Sequence, residues 1–133
     1  MSNGIRRNVK VSKVDTDLGI VIGWAIVCKR DGEDYYDLQG HHIPEDVMLK
    51  AVLDFNANSR IAKEMHDGEK RGDVTLVPVT TDIAKALGFE TTQTGAFAVM
   101  KPDADMLKKF ADGDLNEFSI GGEGVLVAAK KAA

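Results

Sequence analysis

The sequence predicts an α+β domain with an antiparallel or mixed sheet at its centre. Three observations predict it. Strand-like apolar segments recur from Val9 to Val127. Two helix signals open at Pro44 and at Pro102-Asp103, each followed by apolar residues at helical spacing. The resulting order is strands, helix, strands, short helix, strand, helix, strand, with no internal repeat and no domain boundary, so residues 1–133 read as one domain.

Val9-Lys10-Val11-Ser12-Lys13-Val14 comes near to alternating apolar and polar residues, the period of a half-buried strand. Asp15 to Asp17 reads as a turn, and Leu18 to Cys28, rich in Ile and Val, as a longer and more deeply buried strand. Lys29 to Gly40 is charged and carries glycine, which predicts a loop or hairpin. Pro44 suits a first helical turn, and Glu45 and Asp46 favour the positive end of the helix dipole. Val47, Leu49 or Ala51, and Phe55 supply the expected buried stripe, and Asn56-Ala57-Asn58-Ser59 the expected end. Arg60 to Met65 fits either period; after Ala62 the chain reads as extended, closed by the Asp67-Gly68 turn.

Val74 to Val79 is a strand that Pro78 assigns to an edge or a bulge. Thr81-Asp82 caps a short helix, Ile83 to Leu87, stopped by Gly88. Gly95 to Met100 is a strand. A second clear helix begins at Pro102-Asp103, carries Met106, Leu107 and Phe110 on one face, and ends at Gly113. Leu115 to Val127 returns to strand character. The ends, about 1–7 and 128–133, are expected to fray.

A chain of 133 residues can bury a core without staples, and 44% apolar with 29% charged residues is ordinary for a soluble globular protein. The net charge of -4 gives no electrostatic case for nucleic acid or an anionic membrane as partner. The single cysteine, Cys28, excludes an intrachain disulfide and a cysteine-based zinc site, and reads as a buried strand thiol. The apolar run before it is too short to span a bilayer. No apolar stretch follows the basic residues at the N-terminus, which points to an intracellular protein.

Two segments look over-specified for packing alone. Glu64-Met65-His66-Asp67-Gly68 puts a lone histidine beside a tight turn, and Phe118-Ser119-Ile120-Gly121-Gly122 puts a serine on a strand before two glycines. Facing one cleft, they would supply acyl-transfer chemistry. The His66 imidazole would act as general base and Ser119 as nucleophile, with backbone amides of Ile120, Gly121 and Gly122 around the oxyanion. By spacing alone the plainer readings come first: a hydrogen-bonded turn histidine, and a strand serine beside a glycine bulge.

These segments resemble the phage prohead proteases of the XkdF-like kind, which process capsid and scaffold proteins in tailed phages. In family order the matching segments are Gly23-Trp24-Ala25, Asp37-Leu38-Gln39-Gly40, Asn58-Ser59-Arg60, Glu64 to Gly68, Lys85-Ala86-Leu87-Gly88 and Glu117 to Gly122. The similarity runs from about Gly19 to Gly122. It implies that His66 and Ser119 are the catalytic pair. It also implies a herpesvirus-protease-like fold, a barrel-like, mostly antiparallel sheet with surrounding helices. The expected activity is that of a serine endopeptidase (a peptide bond hydrolase) without metal or organic cofactor. Its expected substrates are the phage major capsid protein and scaffold protein, met inside the immature capsid (the prohead) in the host cytoplasm during virion assembly and capsid maturation. Such enzymes often dimerise, so a homodimer is an expectation.

Two departures from the family bear on this reading. Members commonly carry an acidic residue just after the Gly40 position, where His41 and His42 stand. Adjacent residues point to opposite strand faces, which favours a solvated loop over a metal site. The short stretch after Ser119 leaves little chain to supply a late third member of a triad. Glu64, Asp67 and Glu123 are candidates for that role, each also readable as a solvated carboxylate. A non-catalytic assembly module binding scaffold or capsid protein is the alternative. Trp24 reads as core filler, Gly23 as a site of close strand approach, Asp37 as a turn-binding side chain and Arg60 as a partner for an acidic group near the helix end.

Overall fold

A computed structural model describes residues 7–62, 72–121 and 124–130. Among these residues, eight strands and three helices follow one another as β1 (Arg7–Lys10), β2 (Lys13–Asp15), β3 (Ile20–Arg30), β4 (Glu33–Asp34), α1 (Glu45–Ala62), β5 (Gly72–Val79), α2 (Thr81–Leu87), β6 (Gln93–Pro102), α3 (Ala104–Ala111), β7 (Leu115–Gly121) and β8 (Gly124–Lys130). The class is α+β. Every strand pairing among the described residues is antiparallel. Among the described residues the strands form two sheets, ordered β1-β7-β8 and β2-β3-β6-β5 with β4 beside β3, and not one closed barrel.

The segment Val9 to Val14 reads as one strand and serves as two. The Val11 amide donates to the Asn116 carbonyl (2.9 Å) and the next amide, Ser12, to that of Ile22 (2.7 Å). Successive residues thus bond to different sheets, and the chain changes sheet between them. This crossing depends on Gly23, where a Cβ would overlap the Lys10 carbonyl and press on Val9 Cγ1. The close approach expected at Gly23 is therefore found, and β1 is the strand that makes it.

Both sheets turn their inner faces to a single core. Val21, Ile26 and Cys28 of β3, Leu76 of β5, and Ala96, Ala98 and Met100 of β6 meet Val9, Phe118 and Ile120 of the smaller sheet. The alanines of β6 leave room for Met48, Val52 and Phe55 of α1 in the same cluster. Those three, with Ala51 packed against them, follow the i, i+3, i+4, i+7 spacing of one helix face. Val47, expected in the stripe, is exposed instead, one position out of phase. Trp24 is a second correction. It points to the outer face of the larger sheet, half-exposed, and packs edge-on against Phe97 across the strand pair, with ring centroids 5.8 Å apart.

Helix α1 also continues past its expected end. The asparagines expected to stop it have other partners. Asn56 Nδ2 donates to the Leu76 carbonyl (2.9 Å) while its Oδ1 accepts the Leu76 amide (3.0 Å). Asn58 Nδ2 donates to Asp54 one turn back (3.0 Å). Amides held in this way do not compete for their own backbone, so the helix runs on to Ala62. Strand β5 is the end strand of its sheet, as Pro78 implies.

The other helix ends follow local chemistry. Thr80, one residue earlier than expected, caps α2 through its hydroxyl to the Ile83 amide (3.0 Å), and Gly88 ends it in the left-handed conformation at φ 79°. Asp103 caps α3 through the Met106 amide (2.8 Å), and Met106 and Phe110 bury its apolar face.

Candidate active site

Ser119 sits in the middle of β7, the central strand of the three-stranded sheet, opposite Asn8 of β1 and Val127 of β8. Its neighbours Phe118 and Ile120 are buried at 0% and 1% exposure. Strand alternation therefore turns the Ser119 side chain to the outer face, where it is half-exposed.

The ladder decides what that side chain meets. The Val11 amide bonds the carbonyl of Asn116 directly opposite, which makes this a hydrogen-bonded pair of the ladder, so by alternation Val9–Phe118 and Arg7–Ile120 are hydrogen-bonded pairs as well. Asn8–Ser119 is then a pair without backbone bonds between its members, the kind whose side chains approach most closely. The Ser119 hydroxyl donates to Asn8 Oδ1 at 2.7 Å. On the other side the register with β8 shifts between Ser119 and Ile120: β8 advances from Val127 to Val125 while β7 advances one residue. A bulge thus lies directly beside the serine, one step before the glycines expected to mark it.

Of the residues expected in the site, Ser119, Ile120 and Gly121 are described. Ile120 is part of the core and its amide faces β1 in the ladder; Gly121 closes the β7–β8 pairing opposite Gly124. His66, Glu64 and Asp67 lie outside the described residues, as do Gly122 and Glu123. The structure therefore brings together Ser119 and Asn8, a residue that the sequence motifs do not single out.

The matching segment around Asp37 forms a closed turn. Asp37 Oδ1 accepts the amides of Gln39 and His41, each at 2.9 Å, and its own amide donates to the His41 carbonyl. The His41 amide, then that of Gln39, hold this carboxylate below its ordinary range. Asp37 thus has its turn-binding role. The two histidines diverge from that turn. His41 is exposed, whereas His42 Nδ1 donates to the Tyr35 carbonyl (3.0 Å) and its Nε2 lies 3.8 Å from Asp34 Oδ2. Among the described residues no three metal-ligating side chains gather.

His42 also lines a cleft of about 680 Å³ between the β3–β4 hairpin and the first turns of α1 and α2, with Lys29, Asp34, Glu45, Thr80 and Asp82 among its other walls. Burial would raise the Glu45 pKa. The nearby Thr94 side chain and the hydrogen bonds from the Thr81 amide and hydroxyl, with Lys29 close by, outweigh burial and hold the carboxyl below its ordinary range. Neither Ser119 nor Asn8 lines this cleft, so the cleft and the candidate nucleophile are different places.

No helix among the described residues is long and apolar enough to cross a membrane. Comparison with protein-family models, with curated proteins and with solved structures finds no match to this chain.

Proposed function

We propose that the chain is a serine endopeptidase of the phage prohead type, cleaving the major capsid and scaffold proteins inside the immature capsid. The observation that carries this reading is the pair of segments Glu64 to Gly68 and Glu117 to Gly122, with the other matching segments in family order. The half-exposed Ser119 hydroxyl on the outer sheet face supports it, because a nucleophile must be reachable by a peptide. On this reading the two-sheet α+β architecture is a relative of the barrel-like herpesvirus assembly proteases, and the enzyme works as a homodimer without a cofactor.

In the proposed reaction His66 takes the Ser119 proton as Oγ bonds to the scissile carbonyl carbon, and the carbonyl π electrons move to oxygen. Collapse of the adduct breaks the C–N bond, and the imidazolium returns the proton to the leaving amine. Water, deprotonated by the same imidazole, then releases the acyl group and restores the serine. Incubating the chain with its capsid and scaffold proteins and comparing masses with Ser119→Ala tests this directly. Cleavage that disappears in the variant is expected; identical masses with both proteins would overturn the reading. A fluorophosphonate probe should label Ser119, and the label should be lost in His66→Ala.

One observation favours the alternative, a non-catalytic module that binds scaffold or capsid protein. The Ser119 proton is directed to a carboxamide oxygen, which is too weak a base to activate a hydroxyl. Capsid-protein binding that persists in Ser119→Ala, with no labelling of either protein, would establish that reading instead.

A further inference from the structure

We propose that Asn8 is a further catalytic residue of the Ser119 reaction, its Nδ2–H group donating to the oxyanion of the tetrahedral intermediate; this rests on the serine endopeptidase reading above.

A sheet offers its backbone donors only along certain directions. Ser119 stands on the central strand of its sheet, with β1 on one side and β8 on the other. Backbone amides of such a strand lie in the plane of the sheet, and the Ile120 amide is turned to β1 by the alternation of the ladder. The Ser119 side chain projects out of that plane, so a carbonyl attacked by Oγ carries its oxygen above the sheet. A donor for that oxygen has to stand on the outer face beside Oγ, and a side chain on a neighbouring strand is placed to be one.

Asn8 has that position. It is exposed, lies directly opposite Ser119, and holds Oγ through its Oδ1 at 2.7 Å. The amino group on the same planar carboxamide is therefore fixed next to Oγ. Oxygen and nitrogen of a carboxamide are spaced much as two oxygens on one tetrahedral carbon are, so once Oγ has lost its proton a small turn of the Asn8 carboxamide brings Nδ2–H to the oxyanion. Among the described residues no acceptor takes the Nδ2 hydrogens, which leaves them for the intermediate.

The test measures fluorophosphonate labelling rates and capsid-protein cleavage with the full chain, as wild type, Asn8→Ala, Asn8→Asp and Ser119→Ala. Asn8→Ala should lower the labelling rate and kcat by roughly 100- to 1,000-fold, the range for losing one oxyanion donor, with KM little changed. Asn8→Asp keeps the size and the acceptor oxygen but has no N–H, and should fall at least as far. Thermal melts of both variants should stay close to wild type, because the residue is exposed. Wild-type rates in either variant would overturn the assignment of Asn8 and leave the endopeptidase reading standing. Absence of any Ser119-dependent labelling or cleavage in the wild-type chain would overturn both.

Discussion

At the scale of single residues, the thiol of Cys28 and the carboxylate of Glu45 each tie the stability of the fold to pH. Cys28 is fully buried, and burial, with the Glu45 charge adding to it, pushes its pKa from 9.0 to about 11. Because the folded pKa is the higher one, the thiol's contribution is complete below pH 9.0 and is lost as pH rises toward 11. Keeping the thiol neutral over that range is worth roughly 2–3 kcal/mol to the folded state. Stability measured by urea unfolding should therefore fall across that alkaline window, and Cys28→Val should flatten the fall. Glu45 has the opposite sign. Its lowered pKa stabilises the fold above pH 4.5, and that contribution is lost as pH falls into the acid range. Glu45→Gln should weaken the acid dependence, because the neutral amide has no charge to lose.

At the scale of elements, the asparagine on α1 shows what sequence pattern can and cannot convey. Asn56 bonds both the amide and the carbonyl of Leu76 on the end strand β5. Two residues further along the same outer edge stands Pro78, which has no amide to leave unpaired. The edge is thus closed by a helix side chain and a proline in succession, one of the ways a sheet avoids pairing with another chain. Asn56→Ala removes two hydrogen bonds and leaves two backbone groups to find water, at a cost of about 2–4 kcal/mol. A lower urea midpoint and faster amide exchange at Leu76 are expected; an unchanged exchange rate at Leu76 would contradict this role. The capping signals at Pro44 and Asp103 and the edge signal of Pro78 are legible in the sequence because each acts within a few residues. Asn56 reads as a helix stop, and does not act as one, because its partner lies twenty positions away on a strand whose register no local pattern specifies. Val47 departs from expectation for a different reason: with apolar residues at 47, 48, 49, 51, 52, 53 and 55, several helix faces satisfy the period, and only the opposing sheet selects among them. The candidate site divides the same way. That Ser119 faces outward follows from apolar residues on either side, whereas Asn8 meets it across 111 positions and is identified only by the β1–β7 ladder.

At the scale of the whole molecule, the two sheets share one core, and the chain passes between them at Val11-Ser12, where the alternation begun at Val9 breaks into two successive polar residues, Ser12 and Lys13. Gly23 is the physical requirement for that passage, and its consequences reach the candidate site. A methyl group there would drive β1 away from β3, and β1 is the strand that carries Asn8 to Ser119. Gly23→Ala should then act on two observables together. Overlap with a backbone carbonyl has no flexible side chain to absorb it, so stability should fall by about 1–3 kcal/mol or more, as for overpacking in a core. Displacing β1 should also loosen the Asn8–Ser119 bond, raising amide exchange along β1 and β7 more than along the β5–β6 pair on the far side of the larger sheet. Gly95→Ala provides the comparison. There a Cβ would overlap the Ile26 carbonyl, at a φ of +145° that side chains rarely adopt, but the damage falls on the β3–β6 pair. If exchange in β1 and β7 rises equally in both variants, the sheets respond as one unit and the crossing has no special link to the serine. If it rises selectively in Gly23→Ala, the passage of β1 over β3 is what holds the outer face of the small sheet in register.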